Sequence, residues 1–267
     1  MPNLIERLLP IATDHRDAIA SLAGFVEKVR AFLAGQVGQP ARGFQPIPPY
    51  AGTPLTLLAA DPQAAEARAA EHILLQDMQR RWETIQNLTS GYEGILYRMA
   101  FIYRVALFDA LIPDALTAVV LTESNILKRG KTLTFEEILE HVQAGSLIEF
   151  MAEKVITPVA YLSVAKQAEW IKDKLSIELV SNAAQLHQLI EIMARRNLFA
   201  HANGVVNRTY LELVPNAANA VGDHLGVDYD YWYKANILLR DICSSLLRAI
   251  TIKFASGEQV PNYLEFE

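Results

Sequence analysis

In the segment Asp228-Tyr-Asp-Tyr-Trp-Tyr-Lys-Ala-Asn-Ile-Leu-Leu-Arg-Asp-Ile-Cys-Ser-Ser-Leu-Leu-Arg-Ala-Ile250, the residues Trp232, Ala235, Leu239, Ile242, Cys243, Leu246 and Ile250 recur at steps of three and four. That is the period of one face of an α-helix. Asp228 or Asp230 can accept the free amides of its first turn. The same period runs upstream through Ile19, Leu22, Val26, Val29 and Leu33, through Leu74, Met78, Trp82 and Ile85, and through Leu186, Leu189, Ile190, Met193 and Leu198. No sustained strand alternation is found, so the fold class expected is all-α.

The spacing predicts helices over residues 14–34, 61–87 and 91–111, the last of them apolar nearly all round except for Arg98 and Arg104. Another is expected over 115–127, after Pro113. Thr134 and Glu137 have capping-box spacing. Ser146 is expected to open a helix that breaks near Pro158, a short helix follows over 165–175, and Ser181 opens one that stops at Asn203-Gly204, a pair tolerant of left-handed backbone. Six of the 12 prolines lie between residues 40 and 62, which marks a linker. The expected division is therefore 1–60, a helix plus Pro/Gly-rich linker, and 61–267, a helical bundle.

At 267 residues, 51% hydrophobic and 20% charged, the chain is too apolar to be disordered. No run of about 18 consecutive apolar residues occurs, so no membrane-spanning helix is expected. The start, Met1-Pro-Asn-Leu-Ile-Glu-Arg7, lacks the pattern of a secretory leader, and a cytoplasmic protein is expected. The single cysteine, Cys243, excludes an intrachain disulfide and a thiolate zinc site. His15, His72, His141, His187 and His224 have no partners at metal-ligand spacing, so neither metal nor cofactor is expected. With 24 basic against 30 acidic side chains, the net charge of -6 argues against broad wrapping of duplex nucleic acid. A small basic site stays open.

Such a site is offered by residues 191–211, Glu-Ile-Met-Ala-Arg-Arg-Asn-Leu-Phe-Ala-His-Ala-Asn-Gly-Val-Val-Asn-Arg-Thr-Tyr-Leu. Arginine brings a permanent cation whose fork matches phosphate oxygens, and histidine moves a proton near neutral pH. Five helical residues turn through about 500°, which leaves Arg196 and His201 about 140° apart unless the helix end distorts. Basic residues in a last helical turn also favour the helix dipole and bond terminal carbonyls, so a purely structural role is the alternative.

The run Arg196-Asn197-x3-His201 resembles the signature of the HEPN-domain family. The likeness extends to the apolar helix at 92–112, to Leu127-Lys-Arg-Gly-Lys-Thr-Leu-Thr-Phe-Glu-Glu-Ile138, to Gln167-Ala-Glu-Trp-Ile171 and to Asn203-Gly-Val-Val-Asn-Arg-Thr-Tyr-Leu211, and so covers roughly residues 90–250. The resemblance implies an antiparallel helical bundle, here with an additional N-terminal helical segment. It also implies a metal-independent endoribonuclease that acts on RNA as a homodimer with a composite cleft, in a toxin–antitoxin or phage-defence setting with an antitoxin or regulatory partner. Carried over by residue, His201 is the acid/base, Arg196 the phosphate-binding cation and Asn197 the polar neighbour, with Arg195, Asn203 and Tyr210 as further substrate-binding candidates. Paired toxins of this family often carry a modified tyrosine two positions after the histidine. Asn203 stands there, which argues against control by adenylylation. The alternatives are a non-catalytic RNA- or nucleotide-binding module and a regulatory helical interaction protein.

Arg98 and Arg104 are expected either to pair with internal carboxylates or to line the cleft. The aromatic cluster Tyr229, Tyr231, Trp232 and Tyr233 either packs or stacks bases.

Overall fold

The computed structural model describes residues 3–38, 62–129 and 133–255, together with their side chains except those of 34–38, 62–91 and 127–129. The expected linker, the stripe Leu74, Met78, Trp82 and Ile85, and His72 thus lie outside the described side chains. Among the described residues the chain forms eight α-helices and no strand: α1 (Leu4–Gly38), α2 (Pro62–Thr122), α3 (Phe135–Gln143), α4 (Leu147–Ala160), α5 (Val164–Leu175), α6 (Ala183–His201), α7 (Arg208–Leu213) and α8 (Tyr229–Phe254). A 3₁₀ turn over Ser124–Arg129 follows α2.

Two compact units are present. One comprises residues 1–24 and 97–267, the other Phe25–Leu96. This differs from a division at residue 60. The first 24 residues join the large unit because α1 begins ten residues before the expected start and buries Leu4, Leu8, Ala12 and Ile19. Its early start rests on reciprocal bonds in which the Asn3 side chain accepts from the Glu6 amide at 2.8 Å and the Asn3 amide donates to Glu6 at 2.9 Å. The smaller unit holds the rest of α1, where Val26 and Leu33 are buried, and the first part of α2.

Where three helices were expected between 61 and 127, the structure has the single helix α2, which continues through Gly91, Gly94 and Pro113. Proline at position 113 removes one amide from the ladder. Leu111, Ile112, Ala115, Leu116, Val119 and Val120 are nonetheless buried on both sides of it, and that burial, on the order of 1.5–3 kcal/mol per large side chain, outweighs one lost bond. By length and composition alone, Tyr92–Thr122 is apolar enough to cross a membrane, with half of its most apolar window buried inside the protein. The expectation from unbroken apolar runs was stricter than this. A buried core helix passes the same test.

The cap at Thr134 and Glu137 forms as expected, with both reciprocal bonds present. Ser146 precedes α4 without a side-chain cap bond, and α4 passes Pro158 to end at Ala160. The cap of α6 is Asn182 rather than Ser181, its side chain accepting from the Gln185 amide at 2.9 Å. In α8 the predicted stripe of Trp232, Ala235, Leu239, Ile242, Cys243, Leu246 and Ile250 is buried throughout. Asp228 caps this helix through the Tyr231 amide at 2.8 Å.

Candidate functional site

Helix α6 carries the candidate residues and remains regular through His201. It ends because Asn203 and Gly204 take positive φ values of 51° and 81° and return the Gly204 amide to the Leu198 carbonyl at 3.0 Å. Glycine is required at 204. A Cβ there would lie 2.7 Å from the Phe199 ring and 3.1 Å from the Leu225 carbonyl. The chain then runs beside residues 222–225, joined by the isolated bridge Val205–His224, before Asn207 caps α7 through the Tyr210 amide. Asn203 is thus the exposed left-handed stop of the helix.

Asn197 and His201 are both exposed. One turn apart, they share a face of α6. Among the described residues neither side chain makes a hydrogen bond or ion pair, and His201 is not covered by α8. Arg196 points elsewhere. Its Nη2 forms an ion pair with Asp109 on α2, the two side chains being 26% and 37% exposed, while its Nε is enclosed without a partner among the described residues. Burial holds the Asp109 carboxyl above the usual carboxylate range, with the Arg196 cation opposing that shift. Regular helix to His201 keeps the five-residue offset of about 140° between Arg196 and His201. Within one copy, Asn197 and His201 come together, whereas the arginine's charge is already matched.

Arg195 and Tyr210, expected as substrate contacts, are built into a polar network. Glu191 on α6 accepts from Arg195 Nε at 2.7 Å, from the Tyr210 hydroxyl at 3.0 Å and from the Tyr231 hydroxyl at 2.6 Å. Arg195 also donates to the Gly226 carbonyl at 3.0 Å and lies 3.9 Å from the centre of the Tyr231 ring. Burial and the Glu191 charge push the Tyr210 phenol up to about 12, and Tyr231 is shifted upward for the same reasons. Both hydroxyls therefore stay protonated donors at neutral pH. Burial alone would lower the pKa of Arg195, yet the neighbouring Tyr231 and Glu191 leave it raised. The network ties α6, α7 and α8 together. Its signal in the sequence was the i,i+4 spacing of Glu191 and Arg195.

The other arginines are also engaged. Arg98 Nη2 donates to the Phe199 carbonyl at 3.2 Å, one of the unpaired carbonyls at the end of α6, and its guanidinium stacks 4.8 Å from the Phe199 ring centre. Arg104 Nε donates to Asn236 Oδ1 at 2.8 Å. Among the described residues neither is paired with a carboxylate, the first of the two alternatives. In the aromatic cluster, Trp232 is buried and Tyr229 packs edge-on to Tyr97 at 5.9 Å, while Tyr233 stacks on Tyr229 at 5.8 Å with about half its surface exposed. Packing accounts for all but the outer face of Tyr233. Among the described residues no three His, Cys, Asp or Glu side chains come together as a metal site would need.

No family model, curated protein or solved structure matches the chain.

Proposed function

We propose that this chain is a metal-independent endoribonuclease of HEPN type, acting on RNA as a homodimer whose two α6 ends form one cleft. The observation that carries the reading is the shared, exposed face of Asn197 and His201, chemically able groups with no structural task among the described residues. In this reading one His201 accepts the ribose 2′-hydroxyl proton as O2′ attacks phosphorus and the P–O5′ bond breaks. A protonated His201 donates to the leaving O5′, which yields a 2′,3′-cyclic phosphate. Asn197 orients the phosphate, and Arg196 exchanges its Asp109 contact for the anionic transition state, an interaction stronger there than in the ground state. Control by an antitoxin or regulatory partner, in a toxin–antitoxin or phage-defence setting, is part of the proposal.

One observation favours a second reading, a non-catalytic RNA- or nucleotide-binding or regulatory helical protein: the Asp109 carboxylate already matches the charge of Arg196. Incubation of the purified protein with total RNA in EDTA separates the two. Under the first reading, RNA ends in 2′,3′-cyclic phosphate, and activity falls by at least 100-fold in folded His201→Ala and Arg196→Ala variants. Retention of several RNA pools without cleavage by any form would establish the second reading instead.

A further inference from the structure

Arg104 lies where α1, α2 and α8 meet within the larger unit, and only 1% of its surface is exposed. Its helical neighbours Phe101 and Phe108 and the nearby Cys243 are equally enclosed. Asn236 takes the Nε hydrogen, but Nη1 and Nη2 have no hydrogen-bond partner among the described residues. The Cys243 thiol lies close enough to the guanidinium to interact with it weakly, the Arg240 cation opposes it, and among the described residues no carboxylate acts on Arg104. His15 on α1, whose Nε2 is 3.7 Å from Cys243 Sγ, is held neutral, because burial and then the Arg104 cation push it down to about 4. Burial likewise pushes the Cys243 thiol up to about 11, so it carries no counter-charge at neutral pH.

A guanidinium stays charged in proteins. Enclosed without a counter-ion, it is among the most costly arrangements a core can hold. A trapped water would satisfy one or two N–H groups but would leave the charge unmatched. We propose that the Nη1/Nη2 edge of Arg104, which has no anionic partner among the described residues, binds a compact monoanion of the size of chloride inside the α1–α2–α8 core. The two terminal nitrogens offer convergent, charge-assisted donors, and complete enclosure admits an ion far more readily than a nucleotide or a peptide carboxylate. The site is separate from the α6 end and independent of the ribonuclease reading.

The test is thermal unfolding of the full chain in sodium chloride against sodium gluconate at equal ionic strength, gluconate being too large to enter, with bromide soaked into crystals as an anomalous scatterer. The expected result is a Tm that rises and then saturates with chloride, by roughly 5–10 °C at a hundredfold excess over Kd, and a bromide peak beside Arg104. Arg104→Met should fold, because an apolar side chain of similar length removes the buried charge, and its Tm should not respond to chloride. A Tm for the parent chain that is identical in both salts, or no bromide peak beside Arg104, would mean an internal water only and overturn the proposal. Equal chloride responses in the parent and in Arg104→Met would place the effect elsewhere and overturn it as well.

Discussion

Acidification from pH 7 to pH 5 is expected to destabilise the native chain by about 2 kcal/mol through His15 alone. The imidazole is buried at 6% exposure, and its pKa falls from 6.5 to about 4, chiefly by burial and then by the Arg104 cation. The folded value is the lower one, so between pH 6.5 and 4 the unfolded chain holds a proton that the native chain refuses. Stability is therefore complete above about 6.5 and is lost as the pH falls, at ~1.4 kcal/mol per pH unit inside that window. The 1.5 units from 6.5 to 5 give about 2 kcal/mol. Two other groups that bear on the cluster stay constant over the range: the Cys243 thiol, pushed up to about 11, and the Arg104 guanidinium. Asp109 and Asp114, whose carboxyls burial raises above 3.8, work in the opposite direction because the native state protonates them first. The assay is urea unfolding at half-unit pH steps for the parent and for His15→Gln, which cannot titrate. The difference in unfolding free energy between the two should change by about 2 kcal/mol between pH 7 and 5. Parallel profiles would show that His15 is not held neutral by its surroundings, and the reasoning from its burial beside Arg104 would be refuted.

Gly204→Ala should cost about 1–3 kcal/mol in urea unfolding, since the substitution adds both a strained φ of 81° and a contact of 2.7 Å with the Phe199 ring. Glu191→Gln, which leaves Arg195 without its anion and weakens the acceptor for Tyr210 and Tyr231, is expected to destabilise by about 3 kcal/mol; a change under 0.5 kcal/mol would show that the network contributes little. Asp109→Asn should cost less, about 1 kcal/mol, because its ion pair with Arg196 is partly open to solvent. Under the ribonuclease reading it should also tighten binding of a fluorescent single-stranded RNA, measured by anisotropy in the His201→Ala background.

Helical periodicity is a local property, and it sufficed for the all-α class, for the buried stripe of α8 and for the cap at Thr134 and Glu137. Each of these depends on residues within a turn or two of one another. The same holds for the stop at Asn203-Gly204, where the backbone demand and the residues that meet it coincide. Pro113 misled for the converse reason: its local cost is real, but the burial of Leu111, Ile112, Leu116 and Val119 outweighs it, and burial is not a local quantity.

The candidate site divides along the same line. That Asn197 and His201 share a face follows from a spacing of four, but their exposure does not. Arg196 meets Asp109 across 87 residues of chain, Tyr231 meets Glu191 across 40, and His15 meets Cys243 across 228. No spacing rule reaches so far. The sequence alone determined the all-α class and the apolar face of α8, because those follow from backbone hydrogen bonding and side-chain period. Only the tertiary structure decided which charges are matched, which phenols are donors and which arginine is enclosed without a counter-charge among the described residues, because electrostatic energy depends on distance and burial in the packed molecule.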